Sequence, residues 1–229
     1  MFVYTCQGWS YDWIGPSDIG WMLLEDTHNF MIGNAMKERL KINVVGAGNV
    51  GKTLGRLTAL SGQYKIQDIM NRTEAKASAA VEFIQAGRPV SRVRDMRPAD
   101  IWLVTTGDSQ IAVAAAELAR EAPGPSLAVH CSGFLTSEEL KPLQLVGWQI
   151  TSAHPVFSFA NPETSVQQFP GTLCAVEGDA EAVTTVKTYL ESIGARSFPI
   201  RADAKVLYHG AAVIANNLTR HCQVVLGFV

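Results

Sequence analysis

The sequence predicts an α/β fold: a doubly wound, mainly parallel sheet followed by a mostly helical second domain. Three observations carry this expectation. From Lys41 onward, short apolar runs alternate with segments whose apolar residues recur at the i, i+3, i+4, i+7 spacing of a one-sided helix. The run at 101–104 is apolar throughout, as a strand buried on both faces is. A glycine-rich turn joins the first run to the first helical segment, the arrangement that opens a βαβ unit.

The elements follow in order. Residues 42–45 read as the first strand, and the helix after the glycine turn carries Val50, Leu54 and Leu57 on one face. Residues 64–70 read as the second strand, and the next helix buries Ala77, Ala80, Val81 and Ile84. Residues 101–104 are too apolar for an exposed sheet, and the helix after them repeats the stripe with Ile111, Ala114, Ala115 and Leu118. Residues 127–129 and 146–151 read as further strands, which completes a first domain over 37–152. After His154-Pro155 the texture changes, and 156–170 read as a loop with Pro162 and Pro170. A strand at 172–176, a helix on Val183, Val186, Leu190 and Ile193, and a strand at 196–200 follow. A long helix then starts near Asp203, a residue type suited to an N-cap. Residues 153–229 therefore read as a second domain.

Composition narrows the function classes. The chain has 229 residues, 47% hydrophobic and 17% charged, as in a globular protein with a sizeable core. Its net charge of −2 gives no general attraction to nucleic acid or to an anionic membrane. No apolar run reaches the roughly 18 residues of a membrane span. Cys6, Cys131, Cys174 and Cys222 are scattered without metal or redox spacing, so no metal site is expected and a reducing cytoplasm is the expected location. Residues 1–36 lack Lys and Arg and hold Trp9, Trp13 and Trp21. They read as an N-terminal extension outside the fold; the rival reading is a hairpin that packs its tryptophans on the core.

The segment 41–55 satisfies two phosphate-binding patterns at once. Gly46, Gly48 and Gly51 fit GxGxxG, while Gly46, Gly51, Lys52 and Thr53 fit GxxxxGK[ST]. In either, backbone N–H groups at a helix start, here around Asn49 and Val50, face an anion that the glycines allow to approach. Two neighbouring features favour a dinucleotide. Gly55 adds a further small residue where the helix would cross the sheet closely. Asn71-Arg72-Thr73 stands about 20 residues on, where an NAD-binding domain places an acid on the ribose. An amide, a guanidinium and a hydroxyl suit a 2′-phosphate instead, which makes NADP the expected cofactor. A P-loop NTPase using Lys52 and Thr53 lacks a well-placed magnesium acid, since Asp108 lies beyond Thr105-Thr106-Gly107, where it would cap a helix. In the dinucleotide reading Lys52 and Thr53 are helix-surface residues. Thr105, Thr106 and Asp108, with Ser132 and Gly133 after the next strand, fall at the carboxyl edge of the sheet. There they can line the path of the nicotinamide ribose.

The glycine turn, Asn71-Arg72-Thr73, residues 130–133 (HCSG), 152–158 (SAHPVFS) and 205–217 (KVLYHGAAVIANN) occur in this order. Together they resemble the Rossmann-like proteins that pair an NADP-binding domain with a domain of unknown function. That family is similar to pyrroline-5-carboxylate reductase and the deazaflavin-dependent NADP reductases, within the 6-phosphogluconate-dehydrogenase-like group. The resemblance covers 37–229. It implies an NADP-linked oxidoreductase acting on a small molecule, with 153–229 the start of a substrate and dimerisation domain that forms a homodimer through its C-terminal helices. In the family pattern those helices continue beyond the point at which Val229 falls, and residues 1–36 have no counterpart.

Lys205, His209, Ala212, Asn216 and Arg220 share one helix face among small residues, which suits a cleft. The resemblance nominates Lys205 and His209 as proton donors and Asn216 as the residue that orients substrate; the alternative is a solvated face or a core histidine. His154, at a strand end before Pro155, can give or take a proton as hydride moves to a C=N or C=O carbon. A regulatory module that binds NADP without turnover, and the P-loop NTPase, remain the alternatives.

Overall fold

The computed structural model describes residues 38–225, with side chains through 215; the reading of 1–36 lies outside them. Among the described residues one eight-stranded sheet organises the chain, in the order β3-β2-β1-β4-β5-β6-β7-β8. Its strands are β1 (Lys41–Val45), β2 (Lys65–Met70), β3 (Arg88–Val90), β4 (Ile101–Val104), β5 (Leu127–His130), β6 (Gln149–Pro155), β7 (Leu173–Gly178) and β8 (Arg196–Pro199). The helices between them are α1 (Asn49–Ser61), α2 (Glu74–Ile84), α3 (Asp108–Glu121), α4 (Lys141–Gln144), α5 (Pro162–Gln168) and α6 (Ala180–Ser192), and α7 (Lys205–Val225) follows β8. The first six strands run parallel, β7 pairs antiparallel with β6, and β8 is parallel to β7.

Strand alternation builds a core on each face of the sheet. Ile101 and Leu103 of β4 join a cluster with Ile42, Val44, Leu54 and Ile84, whereas Trp102 and Val104 join one with Val45, Ile111, Leu118 and Trp148. The indole rings of Trp102 and Trp148 meet edge to face with centroids 5.5 Å apart. The four residues of the predicted α3 stripe are all buried, as are Ala77, Ala80 and Ile84 of α2.

Four expectations are corrected. The boundary drawn after 152 falls inside β6, and the sheet continues through β7 and β8, so the second half adds strands before its long helix. The span 156–170 contains α5, where Pro162 opens the helix and Asn161 caps it by accepting from the amides of Glu163 and Thr164. Asp203 does not cap α7: it lies in a short 3-10 turn and takes a two-pronged ion pair from Arg201. Gly55 serves the α1–α2 contact rather than a sheet crossing, since a Cβ there would lie 2.7 Å from Ile84 Cδ1. No described helix is long and apolar enough to cross a membrane.

This topology positions the site. The chain winds outward from β1 through β2 to β3, then crosses to β4 on the other side of β1. The loops after β1 and β4 therefore diverge, and a crevice opens between them at the carboxyl edge.

Candidate functional site

That crevice is a cleft of about 640 Å³ lined by the turn after β1, the end of β2 and the turn after β4. Gly46 has φ +86°, and a Cβ on it would stand 2.5 Å from Thr106 Cγ2. A Cβ on Gly51 would lie 2.5 Å from Thr105 Oγ1 and 2.9 Å from the Gly46 carbonyl. These two glycines let the turn close tightly against the β4 loop. Gly48 differs: a Cβ there would meet nothing, so its position faces open space at the head of α1. Gly48 caps α1 without a side-chain bond, and the first turn holds no acid, so the positive end of the helix dipole is left for a ligand.

The candidate cofactor residues fall into two groups. Gly46, Gly48, Asn71, Arg72, Thr105 and Thr106 line the cleft. Thr106 Oγ1 is buried and has no hydrogen-bond partner among the described residues. Arg72 is exposed at the rim, with its amide bonded to Asn71 Oδ1 at 3.0 Å. Lys52 and Lys76 also face the cleft, and Lys76 is a cation the sequence reading missed; its signal is the position one turn beyond Arg72 on α2. The other group, which shares Thr105 with the first and whose Asn49 also lines the cleft, holds the frame through its side chains. Asn49 donates to the carbonyls of Phe159 (2.8 Å) and Ala160 (3.0 Å), which ties the loop after β6 to α1. Thr73 caps α2 by accepting from the Lys76 amide. Thr105 donates to the Gly46 carbonyl at 2.9 Å. Ser132 donates to Asp108 Oδ2 at 2.8 Å and accepts from the amides of Phe134 and Leu135. Asp108 is the first residue of α3 rather than its cap, which is Gly107.

Thr53 is a correction that bears on the nucleotide type. It is not on the helix surface but fully buried, and its hydroxyl donates to the Asn49 carbonyl at 2.8 Å. A P-loop needs that hydroxyl on magnesium.

The nominated catalytic residues also separate. Lys205 is fully buried; its ammonium bonds Ser152 Oγ and pairs with Glu177 Oε1 at 3.1 Å. Glu177 in turn accepts from the Ser137 amide and hydroxyl, each at 2.8 Å. Burial pulls the Lys205 pKa below its ordinary value, against the opposing pull of Glu177. The network pins the start of α7 to β6, β7 and the turn before α4. Lys205 is thus placed as an anchor, and His209 and Ala212 on the same face are half-buried.

One turn further on, His209 does reach the sheet edge beside His154, their ring centroids 5.4 Å apart. Gly133 is the seat for both rings. A Cβ on it would come within 2.6 Å of His154 Nε2, and nearer still to His209 Nδ1. That His209 nitrogen is buried without a hydrogen-bond partner among the described residues. His154 Nδ1 shares a 2.9 Å hydrogen bond with the hydroxyl of Tyr208, a residue sequence reasoning passed over. Burial lowers the His154 pKa to about 4, aided by His209 and Lys205 and opposed by Asp108, so the ring is neutral near pH 7. His130 is structural: fully buried, its Nε2 donates to the Thr136 carbonyl at 2.9 Å and its Nδ1 accepts from the Ser132 amide. The side chain of Asn216 lies outside the described ones. Among the described residues, no group of three or more His, Cys, Asp or Glu could hold a metal ion.

The sheet order and the glycine turn at its switch point define a Rossmann-like α/β protein. More particularly, residues 172–225 match the model of a domain of unknown function, DUF2520. Among solved structures, the chain is similar to a candidate NADP oxidoreductase from Bacteroides fragilis, with TM-score 0.67 and 19% identity over 82% of this chain and 70% of that one. Protein TM1727 from Thermotoga maritima is 30% identical, with TM-score 0.61 over 82% of this chain and 66% of that one. A pyrroline-5-carboxylate reductase from Coxiella burnetii gives TM-score 0.59 at 13% identity, over 74% of this chain and 62% of that one. The chain thus spans less than two thirds of the length of the latter two. No functionally curated protein matches the sequence.

Proposed function

We propose that this chain is an NADP-dependent oxidoreductase that moves a hydride between the nicotinamide ring and a small C=N or C=O substrate. The observation that carries the reading is the cleft at the β1–α1 turn. It opens onto an uncapped helix head at Gly48, holds an orphaned Thr106 hydroxyl, and has Lys52, Arg72 and Lys76 along its wall. These features fit a dinucleotide carrying an extra phosphate. The pyrophosphate belongs on the amides around Gly48, Asn49 and Val50. The 2′-phosphate belongs on Arg72, with Lys76 beside it; here a guanidinium fork supplies charge-assisted bonds. The Rossmann-like neighbours support the fold that this reading requires.

When bound, NADP(H) supplies or accepts the hydride. The chain's own contribution is geometric and protic. Asn49 ties the loop after β6 to the helix head, so the cofactor turn and the segment after β6 are joined directly. Gly133 lets the two imidazoles close over the sheet edge. His154 stays a neutral imidazole, and its Nε2–H can hydrogen-bond the oxygen or nitrogen on which negative charge develops as hydride arrives. His209 lines the same pocket, and Asn216 keeps its nomination as the residue that orients substrate. Lys205, held by Glu177, fixes the helix that carries them.

Residues 153–229 fit the role of the substrate and dimerisation half. Val206, Leu207, Val213 and Ile214 stand exposed on α7, which supports a homodimer through this helix. The buried, helix-bonded Thr53 hydroxyl weighs against the NTPase reading. The first test is a fluorescence titration with NADPH. The reading expects saturable enhancement of reduced-nicotinamide emission; an unchanged spectrum up to millimolar NADPH would remove it.

A further inference from the structure

We propose that Tyr208 is a positioning residue that fixes the proton of His154 on Nε2. Tyr208 lies on the first turn of α7, and its hydroxyl meets His154 Nδ1 at 2.9 Å. Its ring stands edge-on to the imidazole, with centroids 5.7 Å apart and an interplanar angle of 81°, and it also meets Phe198 of β8 edge to face, with centroids 6.1 Å apart. The phenol ring thus packs beside His154 and Phe198, and its hydroxyl addresses one imidazole nitrogen.

A neutral imidazole has one N–H and one bare nitrogen, and the partner of one nitrogen decides the state of the other. Two arguments give the direction of the hydrogen bond. His154 Nδ1 is the hydrogen-bond partner that the described residues offer the Tyr208 hydroxyl, so donation to Nδ1 satisfies the phenolic proton. A phenol is also a better donor than a neutral imidazole N–H, while a bare imidazole nitrogen is a better acceptor than a phenolic oxygen. Tyr208 thus donates to Nδ1, and the proton of His154 sits on Nε2.

That nitrogen faces Gly133 and His209 at the carboxyl edge of the sheet. The ionisable groups around the ring are His209 and Tyr208 from α7, Lys205 at the helix start, and Asp108 from α3. Lys205 is neutralised by Glu177 and Asp108 is bonded to Ser132, so neither reaches the imidazole with a hydrogen bond of its own. Tyr208 is then the group that selects the tautomer. The consequence for turnover rests on the reading of His154 Nε2–H as the donor to the developing anion; the tautomer itself does not.

The experiment is long-range 1H–15N correlation of the full chain labelled at histidine nitrogen, at pH 7, with His154 assigned by its loss in His154→Gln. The wild type is expected to show a protonated Nε2 and a bare Nδ1. Tyr208→Phe is expected to raise the Nδ1–H tautomer roughly fivefold and to move the titration midpoint upward from about 4, because a bond to the neutral form is lost. A wild-type His154 carrying its proton on Nδ1 overturns the proposal, and does so even if Tyr208→Phe fails to fold. Unchanged tautomer populations in a folded Tyr208→Phe overturn it equally. His154→Gln turnover of NADPH against a panel of cyclic imines and 2-keto acids tests the donor reading separately.

Discussion

Lys205→Met is the perturbation that most sharply separates an anchoring lysine from a catalytic one. Both partners of the ion pair are buried, with side-chain exposures of 0% for Lys205 and 5% for Glu177. Removing one member of a buried pair typically costs about 3–5 kcal/mol, because a desolvated charge is left behind. Here Glu177 keeps two bonds from Ser137, each 2.8 Å, so the orphaned carboxylate is still partly satisfied. That argues for the lower end, about 3 kcal/mol. The reverse change, Glu177→Gln, leaves an ammonium whose described bond is to Ser152 Oγ, and about 4 kcal/mol is expected. At roughly 2–4 °C per kcal/mol for a chain of this size, Lys205→Met should lower Tm by about 6–12 °C. The double variant Lys205→Met/Glu177→Gln should recover about 1–3 kcal/mol of the summed loss, since neither charge is then stranded. The assay is paired thermal and urea unfolding followed by far-UV circular dichroism. A Lys205→Met protein with unchanged Tm would refute the anchor, and lost turnover at unchanged stability would return the lysine to the chemistry.

Two further outcomes follow from the same geometry. Gly46→Ala should abolish NADPH binding and cost about 2–4 kcal/mol, because its φ of +86° disfavours a side chain and the new Cβ would press on Thr106; equilibrium unfolding and titration check it. His130 carries a pKa lowered to about 4 by burial, with Lys205 adding and the Thr136 carbonyl opposing. The unfolded chain therefore takes up its proton first, so stability should fall as pH drops from about 7 to 4, by about 3 kcal/mol from this residue. His130→Gln should reduce the slope of the urea-midpoint profile over that range, leaving the share of His154, and an unchanged profile would contradict the assignment.

Much of the fold was legible because apolar period is a local property. The four-residue stripe of α3 and the runs that became β4 and β5 needed no tertiary information. What escaped depended on partners. β3 is three residues with Pro89 at its centre, and it exists because an edge position beside β2 tolerates proline. Likewise α5 was hidden by its proline, although Asn161 ahead of Pro162 is a cap signal that could have found it. In the site, the place of Gly46, Gly48 and Arg72 along the cleft follows from backbone geometry and spacing, which a sequence carries. The roles of Lys205 and Tyr208 do not. Both lie on the same helix three residues apart, and the antiparallel pairing of β7 decides the matter by setting Glu177 opposite Ser152, where both meet the lysine. Sequence spacing correctly grouped Lys205 with His209 on one face but carried no sign of which groups would meet them there.

The central claim concerns what the turn after β1 holds, and the decisive measurement is a paired titration of NADPH and NADH on wild type and Arg72→Ala. The account predicts that the wild type prefers NADPH by at least about tenfold and that Arg72→Ala removes most of that preference while leaving NADH affinity nearly unchanged. Equal affinity for the two coenzymes in the wild type, or a preference that survives the loss of the guanidinium, would contradict it.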